Sequence, residues 1–201
     1  MTTETIQRIL RSLPLKTPTQ ASWTKAVLDD IPAFLSDHAS CERKAHAAAL
    51  MLVNKFPEYP DLQDQMLSLA REELDHFHQV FRLLRERNLS LPPDETDLYV
   101  KRLLLHARHP RREHLLDRLL AVALIEARSC ERFCLLALAL DPGPLRDFYT
   151  NFAIEESRHF PLFISVTKSI FPTDEVDQRL AEFLELEAGI CAELPVRASV
   201  H

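Results

Sequence analysis

Two Glu-x-x-His turns, Glu73-Leu74-Asp75-His76 and Glu156-Ser157-Arg158-His159, lie in separate stretches of helical periodicity, and each follows a lone glutamate, Glu42 or Glu126, in an earlier stretch. Residues three apart share one face of an α-helix, so each turn can aim a carboxylate and an imidazole at one point. Glu42 precedes Glu73 by 31 residues and Glu126 precedes Glu156 by 30, which suits two helical hairpins that present equivalent ligands at matching depth. Four carboxylates and two imidazoles projecting inward from four helices form the ligand set of a carboxylate-bridged two-metal site. A single turn of this kind is an easy coincidence in a chain with 30 acidic residues and nine histidines, whereas two with matched partners are not.

The rest of the chain supports an all-α four-helix bundle with additional flanking helices. It holds only two glycines against many Leu, Ala, Glu and Arg. From Ile31 onward apolar residues recur at three- and four-residue spacing, and proline stops each stretch by lacking an N–H and crowding the preceding turn. The breaks fall at Pro57 and Pro60, Pro92-Pro93, Pro110, Pro142-Gly143-Pro144 and Pro172. They predict helices over 32–56, 61–88, 94–108, 111–140, 144–170 and 173–191, within a single domain over 1–201. The bundle core is expected over about 32–170, behind an N-terminal extension 1–30 and ahead of a capping helix over about 173–191. The tail from Pro195 to His201 is expected to be exposed, and Trp23 to be core.

Depth within the second hairpin separates two candidate ligands, Glu126 and Glu131. From Glu126 the helix runs 14 residues to Leu140, and the return from Pro144 to Glu156 takes 12, so at about 1.5 Å per residue the depths nearly match. Glu131 would sit about one and a half turns nearer the loop. A local echo, Ser40-Cys41-Glu42-Arg43 against Ser129-Cys130-Glu131-Arg132, argues the other way. Depth favours Glu126, with Glu131 kept as a residue that supports a ligand.

Ala45, Ala48 and Ala49 after Glu42, and Ala123, Leu124 and Ile125 before Glu126, place these carboxylates among core-facing residues. Buried together without cations, six such groups would cost several kcal/mol. A non-catalytic helical interaction domain, with the same residues only in salt bridges, is therefore the weakest reading. Two nitrogens and four carboxylates without a thiolate suit iron or manganese better than structural zinc. The four cysteines, Cys41, Cys130, Cys134 and Cys191, form no C-x-x-C pair and are read as reduced. The N-terminus lacks a basic stretch ahead of an apolar run, and no apolar stretch is long enough to cross a bilayer, so a soluble cytoplasmic protein is expected. A net charge of -6 gives no general attraction to DNA or RNA, and any RNA contact needs a local basic patch.

At these residues the chain resembles the ferritin-like di-iron carboxylate superfamily, and more closely the tRNA 2-methylthio-N6-isopentenyladenosine hydroxylase family (MiaE). The resemblance is carried by the stretches from Asp37 to Ala45, Glu72 to Phe77, Leu124 to Phe133 and Glu155 to Phe160. Glu-Ala-Arg-Ser-Cys-Glu-Arg-Phe, from Glu126 to Phe133, is the stretch that points to this family. The resemblance implies dioxygen-dependent hydroxylation of the isopentenyl chain beside the anticodon, with two iron ions on Glu42, Glu73, His76, Glu126, Glu156 and His159. It also implies an external electron donor, a reductase or ferredoxin-type partner. A tRNA substrate needs a surface for phosphates, and the best candidates are Lys101, Arg102, Arg108, Arg111, Arg112 and Arg118. The rival within the superfamily is an iron-handling or peroxide-reducing protein on the same ligands.

Overall fold

The computed structural model describes residues 2–93 and 95–201, the side chain of Thr2 excepted. Met1, and Asp94 where one predicted helix begins, lie outside the described residues. Among the described residues every regular element is helical, and no helix is long and apolar enough to cross a membrane. The chain divides into two compact units. One takes residues up to Leu28, Asp97–Val196 and His201; the other takes Asp29–Thr96 and Arg197–Val200.

The second unit is a helical hairpin of α3 (Ile31–Lys55) packed along α4 (Pro60–Glu86). Asp30 starts α3 by accepting the Ala33 amide at 3.1 Å, with Pro32 in the first turn where its missing N–H costs nothing. Pro60 opens α4 in the same way. Asn88, in the left-handed region at φ 56, ends it and lets the Leu89 amide return to the Leu84 carbonyl at 2.9 Å. Phe34, Leu35 and Leu52 of α3 and Leu62, Met66, Leu69, Val80 and Leu84 of α4 are buried, each contributing about 1.5–3 kcal/mol.

The first unit is organised round α6 (Arg111–Ala139), which is buried on most faces from Leu115 onward, including charged Asp117, Glu126, Arg128 and Glu131. Against it pack α1 (Thr2–Ser12), α5 (Leu98–Leu104), α7 (Pro144–Glu156), α8 (His159–Ile170) and α9 (Thr173–Glu193). α2 (Ala21–Asp29) buries Trp23, as expected, with the Arg132 guanidinium 5.3 Å from its ring centre.

Three expectations need correction. The stretch over 144–170 is two helices, because Pro161 cannot donate to the Ser157 carbonyl and its ring crowds that group. The Ser157 hydroxyl takes the Ile154 carbonyl at 2.7 Å, and the Arg158 amide turns to Glu155 O at 3.3 Å. The helix expected over 94–108 is confined to Leu98–Leu104, since the Asp97 carboxylate caps it by accepting the Val100 amide at 3.0 Å. The N-terminal extension, for its part, carries α1 and α2, whose Ile6, Ile9 and Val27 are buried. The tail is not exposed throughout: Ser199 and Val200 are buried, and His201 Nδ1 lies 2.9 Å from Asp97 Oδ2 with its ring stacked on Tyr99.

Candidate metal centre

Each unit gathers one glutamate and one Glu-x-x-His turn into a buried triad. In the second unit α3 supplies Glu42 and α4 supplies Glu73 and His76. His76 Nδ1 lies 3.8 Å from Glu42 Oε2 and 3.7 Å from Glu73 Oε2. The other oxygen of Glu42 faces His38, whose Nε2 lies 2.9 Å from Oε1. His38 is fully buried one turn before Glu42, so its ring packs against the side of Glu42 away from His76. The sequence reading missed this proximity, although the His38-x-x-x-Glu42 spacing carries it.

In the first unit α6 supplies Glu126, α7 ends on Glu156 and α8 begins on His159. His159 Nδ1 lies 3.5 Å from Glu126 Oε2 and 3.1 Å from Glu156 Oε2. The kink before Pro161 therefore falls inside the Glu-x-x-His turn without parting its two ligands. All six side chains are between 1 and 7 % exposed, which removes the water that would otherwise solvate their charge. Burial alone would lower the His159 pKa, but the Glu156 and Glu126 carboxylates outweigh it and push it far up. Those carboxylates demand a positive charge, which a proton on His159 or a divalent cation can supply.

The donor set fits iron. Each triad offers two carboxylate oxygens and one imidazole nitrogen to a single point, with no thiolate. Cys130, one turn beyond Glu126, donates to the Ala153 carbonyl at 3.7 Å. Its hydrogen bond with Cys134, its burial, and the Glu156 and Glu126 charges all push its thiol pKa up, so it stays protonated.

Glu131 turns away from the triad. Its Oε1 accepts the Thr19 amide at 3.1 Å, and its Oε2 accepts the Thr19 hydroxyl at 2.6 Å and Arg128 at 2.5 Å. Arg128, itself buried, also grips Glu187 of α9 through Nε at 2.9 Å and Nη2 at 2.7 Å. Burial alone would lower the Arg128 pKa, but the Glu187 and Glu131 charges push it up. Glu131 thus belongs to a buried ion-pair network that ties α6 to α9 and to the strand of chain before α2.

The candidate phosphate contacts are mostly engaged. Arg102 pairs with Glu193 at 2.8 Å, Arg108 with buried Asp117 at 2.8 Å, and Arg112 with Glu175 at 2.7 Å. Lys101 and Arg111 are exposed, and half-buried Arg118 has its pKa lowered by desolvation.

Comparison with known proteins places these features in one family. The family model described as tRNA-(MS2IO6A)-hydroxylase (MiaE) matches residues 6–201. A tRNA 2-(methylsulfanyl)-N(6)-isopentenyladenosine(37) hydroxylase of Pseudomonas putida is 39 % identical, the match covering 88 % of this chain and 84 % of that one. Its namesake from Salmonella typhimurium is 29 % identical, over 88 % and 83 % of the two chains. Among solved structures, a Synechococcus protein with aldehyde deformylating oxygenase activity superposes with a TM-score of 0.87 at 34 % identity, covering 93 % of this chain and 94 % of that one. With the family match spanning nearly the whole chain and both Glu-x-x-His triads in place, this chain belongs to the MiaE family of tRNA hydroxylases.

Proposed function

We propose that this chain hydroxylates the isopentenyl side chain of 2-methylthio-N6-isopentenyladenosine, next to the anticodon of tRNA, using dioxygen and two iron ions. The observation that carries this reading is the family match over residues 6–201 with both buried triads intact. Glu42, Glu73, His76, Glu126, Glu156 and His159 are the proposed iron ligands. When bound, the iron pair supplies dioxygen activation and the oxidising power to replace an allylic C–H bond by C–OH.

The protein's own residues hold the ligands and exclude water. His38 Nε2 lies beside Glu42 Oε1, and Glu42 Oε2 faces His76 on the side proposed for metal. Buried Leu69 and Ala70 beside Glu73, and Ala123, Leu124 and Ala127 beside Glu126, keep each triad dry, which protects a strong oxidant from side reactions. No side chain acts as a nucleophile. The segment from Lys101 to Arg118 is the proposed phosphate contact. Arg102–Glu193 and Arg112–Glu175 are exposed pairs worth about 1 kcal/mol or less, so a phosphate can displace either carboxylate. Arg108 is more firmly held, because Asp117 is fully buried.

The test is to incubate the iron-loaded, chemically reduced protein with prenylated tRNA and dioxygen. Digested nucleosides then report one added oxygen by mass spectrometry. An unchanged nucleoside from fully loaded, reducible protein rejects this substrate. The activity named for the Synechococcus protein supplies the second reading, and a fatty aldehyde offered in parallel would lose its carbonyl carbon if that reading held.

A further inference from the structure

α4 carries Glu73 and His76 on its buried side, and its opposite side is exposed. Leu67, Arg71, Leu74, His78, Arg82 and Arg85 follow at steps of four, three, four, four and three residues. That spacing keeps all six on one line of the helix, and all six are exposed. Leu67 and Leu74 are 43 % and 48 % exposed. Arg71, His78, Arg82 and Arg85 enter no ion pair or side-chain hydrogen bond among the described residues, unlike Arg102, Arg108 and Arg112. Glu72 and Glu86 stand farther round the helix, and exposed Asp64 and Asp75 border the stripe on Arg82's side, so its centre line from Leu67 to Arg85 carries leucines and cations.

The reaction creates a need that such a stripe can meet. Hydroxylation takes RH + O2 + 2 e− + 2 H+ to ROH + H2O: a C–H bond and the O–O bond break, one oxygen enters the C–O bond, and the other leaves as water. The substrate supplies two of the four electrons that dioxygen takes up, and another molecule must supply the other two. No C-x-x-C pair is present in this chain to hold a redox cluster of its own. The substrate's C–H must reach the ligands themselves, which a helix backbone blocks. An electron carrier need only come close, and a helix is about 10–12 Å across with side chains. Exposed leucines between cations suit a protein face rather than a phosphate chain, because phosphates reward only the cations.

We propose that this outer face of α4 is the docking surface for an acidic one-electron carrier protein. Arg71, Arg82 and Arg85 steer the encounter, Leu67 and Leu74 form its desolvated centre, and two dockings serve each turnover. The proposal rests on the monooxygenase reading, since only an oxygen-reducing centre needs those electrons.

A plant-type [2Fe–2S] ferredoxin with its NADPH-dependent reductase is the probe, and calorimetric binding to the iron-loaded protein is the first readout. The Arg82→Glu/Arg85→Glu pair and, separately, Leu74→Ser should each weaken ferredoxin binding about tenfold, and the charge pair should flatten its salt dependence. Ferredoxin-driven turnover should fall in step, while hydroxylation by the chemically reduced protein and tRNA affinity hold. Absent ferredoxin binding by the wild-type protein, or binding unchanged in both variants, overturns the proposal. A fall in tRNA affinity instead marks the stripe as an RNA surface and overturns it too. If the reduced wild-type protein hydroxylates no tRNA, the hydroxylase reading fails on its own, while ferredoxin binding still decides the stripe.

Discussion

His159 Nδ1 lies 3.1 Å from Glu156 Oε2, although Glu156 closes α7 and His159 opens α8. The contact survives a break imposed by Pro161, two residues beyond the histidine. Replacing that proline separates what the kink does for the helix from what it does for the triad. Pro161→Ala removes a cost of up to about 3 kcal/mol, so the melting temperature should hold or rise. Iron affinity should fall about 10- to 100-fold as α7 and α8 straighten and carry His159 away from Glu126. Thermal melts and ferrous titration check this; unchanged affinity in the variant would show that the kink is irrelevant to the ligands.

Glu126 and Glu131 should separate cleanly by metal content. Glu126→Gln should keep the fold and lose about one of two irons per chain. Glu131→Gln should keep both irons and lose about 3 kcal/mol of stability, because Arg128 stays buried with half of its compensation gone. Elemental analysis with chemical denaturation on both variants decides it, and iron loss in Glu131→Gln would reinstate Glu131 as a ligand.

Asp97 predicts a window of acid sensitivity. Burial alone would raise its pKa, but His201 and the backbone amides of Val100 and Tyr99 outweigh that and hold it at about 2, below the usual 3.8. A depressed carboxyl pKa stabilises the fold above the unfolded value and loses that contribution as pH falls through the folded one. Asp97 should thus contribute about 2 kcal/mol at neutral pH and lose it between about pH 4 and 2. Asp97→Asn can still cap α5, so its deficit against the wild type isolates the charge. Denaturant unfolding across that range should show the deficit shrinking toward acid; a constant deficit would contradict the assignment.

If phosphates dock on the segment from Lys101 to Arg118, the double change Lys101→Glu with Arg111→Glu should weaken binding of every tRNA alike. The slope of log affinity against log salt should shrink by about two contacts. Filter binding at several salt concentrations measures both, and an unchanged slope would remove this segment from the interface.

Much of this molecule is legible along the chain. Proline positions and three-to-four spacing place α3, α4, α6 and α9 to within a few residues, because both signals act within one or two turns. The triads are legible for the same reason, since Glu73 and His76 share a helical face whatever surrounds them. The break at Pro161 was equally local, but a proline so soon after His159 was masked by an otherwise continuous periodicity.

What local signals cannot carry is the choice of partner. Glu126 and Glu131 look alike in sequence and sit five residues apart. Glu131 becomes a structural anion because Thr19, 112 residues away, and the Arg128–Glu187 pair, 59 residues apart, arrive at its side of α6. The tail reads as exposed until Asp97 and Ser129 supply hydrogen bonds to His201 from 104 and 72 residues away. Helix content and ligand identity follow from backbone sterics and spacing, which act over a few residues. The roles of individual charges follow from desolvation and pairing, and those exist only once distant segments have packed.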